Sequence, residues 1–251
     1  MGAETDARVR RLKTMLAQAR PERVEPHFNV ISTGCRALDE RLPEGGVRRG
    51  TLIEWLSDSL GCGATQLAMR TAREVQGEGA IIIVDRSGMF YPPAAAACRI
   101  DLANAVIVHP ANELDEEWVL DQALRCEHAA AVLSWPRRID DRAFRRLQLA
   151  AERSGALGLL IRPLATIGEP SWADVRVQIT SRASPRTEQP FGDQLLRNWR
   201  LEVRLLRCRG WSLGQEENIE VEIDQVTGEI NESRPRYLAA ESPVIAIPSV
   251  G

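Results

Sequence analysis

The stretch best suited to binding a chemically defined ligand is residues 51–72, TLIEWLSDSLGCGATQLAMRTA. An apolar, β-prone run passes through a Gly-containing turn into a helix. Such a turn aims free backbone N–H groups and the positive end of a helix dipole at an anion. A working phosphate loop, G-x-x-x-x-G-K-[ST], adds a lysine for the phosphates and a hydroxyl for magnesium. On that spacing Asp58 stands in the first glycine position, Gly63 in the second, Ala64 in the lysine position and Thr65 in the metal-ligand position. Lys13 is the only lysine in the chain, so no other lysine within the domain substitutes. A charge-assisted contact is worth about 1.5–3 kcal/mol. Losing one, and placing the Asp58 carboxylate nearby, should cut nucleotide affinity strongly. Gly61, Gly63 and Thr65 keep at most a weak anion nest, and the turn reads as a structural remnant. No cofactor is expected, with weakly held ATP and magnesium as the alternative.

The other nucleotide-hydrolysing parts read the same way. A Walker B strand ends in a metal-holding aspartate. Here AAVLSW (130–135) offers Ser134, followed by Trp135. Asp85, at the end of AIIIVD, is the other acidic candidate, and a cap or loop contact explains it at least as well. The five cysteines (Cys35, Cys62, Cys98, Cys126, Cys208) are scattered, and none belongs to a Cys-x-x-Cys pair. His27, His109 and His128 do not cluster with them. This pattern suits buried thiols rather than disulfides or a zinc site, and no metal is expected.

Arginine supplies the remaining positive charge. Arg137, Arg138, Arg142, Arg145, Arg146 and Arg153 gather around a helix expected over 140–154. Contact with a DNA backbone is one reading, with Arg142, Arg145, Arg146 and Arg153 as the contacts. Steep weakening by salt would be its mark. Asp140, Asp141 and Glu152 lie in the same stretch, which favours a solvated, internally paired face. The formal net charge of −3 over 251 residues gives no support for binding nucleic acid through overall charge. No apolar run approaches the roughly 18 residues of a membrane helix. The start, Met1-Gly2-Ala3-Glu4-Thr5-Asp6, lacks the apolar core of a secretory signal, so a cytoplasmic location without membrane contact is expected.

The elements that must position these residues follow from periodicity. Val9, Leu12, Leu16 and Ala19 predict an amphipathic helix over 5–20, closed by the Pro21–Pro26 segment. Strands are expected at 51–56, 80–85, 105–110, 130–135 and 156–163. Helices are expected at Ala64–Gln76, Pro92–Ile100, Leu114–His128 and Asp140–Ser154. Short apolar strands alternating with helices imply βαβ units and a mostly parallel sheet. After Pro170 longer alternating strands, 175–180, 198–209 and 218–230, should extend the sheet edge in antiparallel fashion, the last with a turn at Thr227-Gly228. Ser181–Asp193 reads as a polar loop, and the proline-bearing tail from Asn231 as disordered. The expected organisation is an N-terminal helix and linker (1–26), an α/β core (27–180), a loop with antiparallel strands (181–230) and a tail (231–251). PVIAIPSV (243–250) is an apolar run between prolines, suited to adding a strand to a partner's sheet edge or filling a groove, and with the 5–20 helix it is an expected partner-docking element.

ISTGCRALDERLPEGGVRRGTLIEW (31–55) resembles the entry of RecA-type cores. Ile31, Ser32, Thr33, Gly34, Leu38, Asp39, Leu42, Gly45, Gly46, Gly50 and Glu54 carry the pattern. LGCGATQLA (60–68), FRRLQLAAERSGALGLLIRP (144–163) and WRLEVRLLRCRG (199–210) resemble the ImuA branch of that superfamily. The resemblance covers about residues 28–210. It implies a RecA-like α/β fold and a role in SOS-induced mutagenic translesion synthesis. It also implies partners: an ImuB-like inactive relative of Y-family polymerases and an error-prone replicative-type polymerase. Against the RecA pattern, DRSGMFYPP (85–93) puts Ser87 where the catalytic glutamate belongs. With Ala64 and Ser134, three hydrolytic positions are vacant, so a non-catalytic accessory role is expected, with DNA contact and self-association open. The alternatives are a DNA-dependent RecA-like ATPase with an unusual nucleotide site and a SulA-like cell-division inhibitor.

Overall fold

The computed structural model describes residues 30–59, 61–182, 199–211, 218–224 and 230–232. The helix expected over 5–20, most of the polar loop, the Thr227-Gly228 turn and the tail beyond Glu232 lie outside them. The chain enters through Val30–Ile31 (β1), Arg36–Asp39 (α1) and Val47–Arg48 (β2). β1 and β2 pair antiparallel. The resemblance motif has a structural reason here. The buried Asp39 carboxylate accepts from the Ser32 hydroxyl at 2.6 Å, the Thr33 N–H at 2.8 Å and the Thr33 hydroxyl at 2.7 Å. Three hydrogen bonds offset much of the cost of burying this carboxylate, and they fix the path of the entry segment.

The alternation of strand and helix then unfolds in order: Leu52–Ser57 (β3), Ala64–Arg73 (α2), Ala80–Val84 (β4), Pro92–Ala97 (α3), Ala105–Val108 (β5), Glu113–Arg125 (α4), Ala129–Ser134 (β6), Asp141–Ser154 (α5) and Leu157–Pro163 (β7). The helices end where local chemistry dictates. Asp140 caps α5 by accepting from the Ala143 N–H at 2.9 Å, and Gly155 leaves it with φ 84°. Val175–Arg182 (β8), Trp199–Cys208 (β9), Asn218–Ile223 (β10) and Ile230–Glu232 (β11) follow.

Nine strands form one sheet in the order β11-β10-β9-β8-β3-β7-β6-β4-β5. β3 through β8 pair parallel, and β8-β9-β10-β11 pair antiparallel. The fold is therefore α/β, with a mostly parallel centre and antiparallel edge strands. Two details of the expectation are corrected. β8 runs parallel to β3 and turns the sheet antiparallel only at its far side. Ser181 and Arg182 belong to β8, and Asn231 and Glu232 to β11, so the segment boundaries drawn at 180/181 and 230/231 fall inside strands.

The sheet's faces bury separate cores. Ile53, Trp55, Ile81, Ile83, Leu133, Leu159 and Val177 pack with α1, α2 and α3 on one side. Leu52, Val84, Val132 and Leu160 pack with Leu120, Leu124, Phe144 and Leu147 of α4 and α5 on the other. Successive residues of a strand point to opposite faces, so a strand covered on both sides must be apolar throughout, as β3, β6 and β7 largely are.

Candidate functional site

The turn between β3 and α2 is exposed at Asp58, Ser59 and Gly61 and buried from Cys62 to Ala64. Gly61 and Gly63 adopt positive φ, 81° and 95°. The Ser57 hydroxyl donates to the Ser59 carbonyl at 2.5 Å and lies 3.0 Å from Cys62 Sγ. A Cβ on Gly63 would meet Leu201 Cδ1 at 2.5 Å, so the fully buried Leu201 of β9 fills the space beside this glycine. Ala64, in the lysine position, is 3% exposed. The Thr65 hydroxyl, where a magnesium ligand would stand, accepts from the Trp135 indole N–H at 3.0 Å. Asp58 is exposed and accepts from the Ser59 hydroxyl at 3.0 Å.

A cavity of about 280 Å³ adjoins this turn, lined by Met69, Met89, Cys98, Trp135, Ile161 and Trp199 beside the turn itself. Among the described residues no charged side chain lines it. Among these described residues phosphate charges would find no side-chain cation, and an ion that loses hydration without a partner costs several kcal/mol. The geometry fits ATP and magnesium poorly.

Of the two remaining hydrolytic positions, only Ser134 has a structural bond among the described residues. Ser134 is fully buried and donates to the Val84 carbonyl at 2.7 Å, joining β6 to β4. Ser87 is exposed in the turn after β4. The buried Asp85 carboxylate accepts from the N–H groups of Met89 and Phe90, both at 2.9 Å, and so ties that turn. Beside it, burial pushes the Glu116 carboxyl up from its ordinary range, although Arg86 bonds it at 2.8 Å. Cys35, Cys62 and Cys98 are buried, and Cys126 and Cys208 half-buried; burial raises the Cys98 and Cys208 thiols and keeps them protonated. Among the described residues no group of three or more His, Cys, Asp or Glu could hold a metal ion.

The α5 arginines divide. Arg145 lies over the Trp172 ring at 4.6 Å and bonds Gln148. Arg146 reaches Asp121 of α4 at 3.4 Å, while Arg142 and Arg153 are exposed. The acidic neighbours named from sequence serve elsewhere: Asp140 caps the helix, Asp141 accepts from the Trp172 indole at 2.8 Å, and Glu152 accepts from Gln148 at 3.1 Å. A larger groove of about 680 Å³ lies at the opposite end of β3. Its arginines are already paired, Arg48 with Glu44, Arg49 with Glu78 and Arg209 with Asp174.

Sequence reasoning missed one charged cluster. Glu54, fully buried in β3, accepts from Arg162 at 2.6 Å, Arg176 at 2.6 Å and Ser171 at 2.8 Å. Arg162 is also fully buried and bonds Glu169 at 2.8 Å, with its guanidinium 5.6 Å from the Phe144 ring. The available signal was a single charge inside each of two apolar strands, LIEWL and LGLLIRP.

Among the described residues no helix is long and apolar enough to cross a membrane. No family model matches the chain. It is 25% identical over 198 residues to protein ImuA of Caulobacter vibrioides, covering 72% of this chain and 79% of that protein. Shorter likenesses run to RecA of Roseiflexus sp., 38% over 84 residues, and of Chlorobaculum tepidum, 39% over 83 residues. These cover 33% of this chain and about a quarter of RecA. The sheet order, the entry motif built on Asp39 and these likenesses support an ImuA/RecA-like assignment.

Proposed function

We propose that this chain is a non-catalytic, RecA-like accessory protein of mutagenic translesion DNA synthesis that works in the cytoplasm through protein–protein contacts. One observation carries the non-catalytic part: the turn that would hold phosphates borders a cavity with no charged side chain among the described residues and is packed by Leu201 and Trp135. The likeness to ImuA supports the setting. The partners that fit this reading are an ImuB-like inactive polymerase relative and an error-prone replicative-type polymerase.

Calorimetric titration of the purified chain with ATP and magnesium, with and without single-stranded DNA, tests the reading. Silence at millimolar nucleotide is the expected result. Micromolar binding, about −8 kcal/mol, would restore the DNA-dependent ATPase in its place. Co-purification with an ImuB-like protein from a strain expressing both should succeed without nucleotide. Failure to co-purify at any salt would remove the accessory role.

A further inference from the structure

Arg70 of α2 is buried with no carboxylate beside it among the described residues. It is 5% exposed, and its Nε is buried without a hydrogen-bond partner. The entry segment packs over it: a Cβ on Gly34 would meet Arg70 Cβ at 2.9 Å, and the next side chain, Thr71, donates to the Thr33 carbonyl at 2.7 Å. Arginine does not give up its proton inside a protein, so this is a buried charge. A buried charge is costly unless an opposite charge compensates it.

The groups within electrostatic reach of Arg70 give it little. They are the Cys98 and Cys35 thiols and the Arg73 and Arg99 guanidiniums. Burial pushes the Cys98 thiol up, so it carries no charge to offer. Arg73, one turn further along α2, is paired with Glu74. Arg99, just past α3, is exposed and has no carboxylate partner among the described residues. It is also the one non-glycine residue among them with positive φ, 65°. Gln76 holds it in that strained conformation, donating to the Arg99 carbonyl at 3.1 Å and accepting from the Asp101 N–H at 2.9 Å. The fold thus keeps two uncompensated guanidiniums near each other, one buried and one at the surface. The guanidinium fork matches oxyanions. Two surplus positive charges suit a single group with two negative ones better than a carboxylate.

We propose that Arg70, with Arg99 and Arg73 beside it, binds a phosphate dianion, either the free ion or the terminal group of a small monoester. The site is separate from the turn at the start of α2: Arg70 lies about 9 Å along the helix axis from Ala64.

Thermal unfolding of the full chain in phosphate-free buffer, with inorganic phosphate added at constant ionic strength, tests this. About tenfold above its Kd, phosphate should raise Tm by about 3–6 °C. Arg70→Met keeps the volume and removes the charge. Without phosphate its Tm should equal or exceed that of the parent, and phosphate should not move it. Arg99→Asn, which tolerates positive φ, should need about tenfold more phosphate for the same shift. Phenyl phosphate acting as well as the free ion would support a monoester occupant; its failure where phosphate succeeds would support the free ion. A parent chain that phosphate does not stabilise, or undiminished stabilisation in either variant, overturns the proposal. So does an equal effect of dimethyl phosphate, which carries one charge. The titration with ATP stays distinguishable: a signal abolished by Arg70→Met would come from here, and one that survives it from the turn.

Discussion

Replacing Glu54 with alanine should lower the unfolding free energy by about 3–5 kcal/mol, because it leaves an uncompensated buried charge. Arg162 is fully buried and Arg176 nearly so, and both aim at the Glu54 carboxylate. Without it Arg162 retains Glu169 and Arg176 retains the Thr166 and Ile167 carbonyls, but both lose the carboxylate they share. For a domain of this size the loss corresponds to roughly 6–20 °C in Tm. Urea unfolding followed by circular dichroism would measure it. Glu54→Gln, which keeps the shape and removes the charge, should cost nearly as much. A loss below about 1 kcal/mol for Glu54→Ala would mean that water reaches the cluster and that the arginines rehydrate in place. Changing the whole group to apolar residues of similar volume should be milder than changing Glu54 alone, since what costs most is the unpaired partner.

Gly63→Ala is expected to cost about 2–5 kcal/mol, for two separable reasons. An L-residue at φ 95° sacrifices about 1–2 kcal/mol. The new methyl would also drive into Leu201, adding about 1–3 kcal/mol of overpacking. A double-mutant cycle separates them. In a Leu201→Ala background only the backbone contribution should remain, so Gly63→Ala should cost less there than in the parent chain. Equal costs in both backgrounds would show that Leu201 does not hold the turn. The same glycine in a working phosphate loop admits an anion; here it admits a leucine.

Much of the architecture was legible in residue patterns. Short apolar runs separated by amphipathic helices required a covered, mostly parallel sheet, and the helix expected over Asp140–Ser154 is α5, Asp141–Ser154. The residues of the degenerate turn could be placed by spacing alone. What fills the turn could not, because Leu201 arrives from a strand far along the chain and Trp135 from the end of β6. Alternation identified β8 as a half-buried strand but carried no information on direction, which depends on the crossover that delivers it beside β3. The pairing of Arg146 was hidden for a related reason. Its partner, Asp121, sits on another helix, whereas sequence reasoning weighed only the acids beside it in the chain.

The packing around the turn also constrains how the site could change. Ala64→Lys alone would place an ammonium at a position 3% exposed, next to a cavity without a counter-charge. Ser134→Asp alone would set a carboxylate against the Val84 carbonyl in place of a donor. Freeing Thr65 requires Trp135 to give up its indole partner. Each step toward a nucleotide site is penalised until the others are in place. Reversal by single substitutions therefore runs uphill throughout: the interactions that now stabilise the turn act as a mutational ratchet against the return of a nucleotide site.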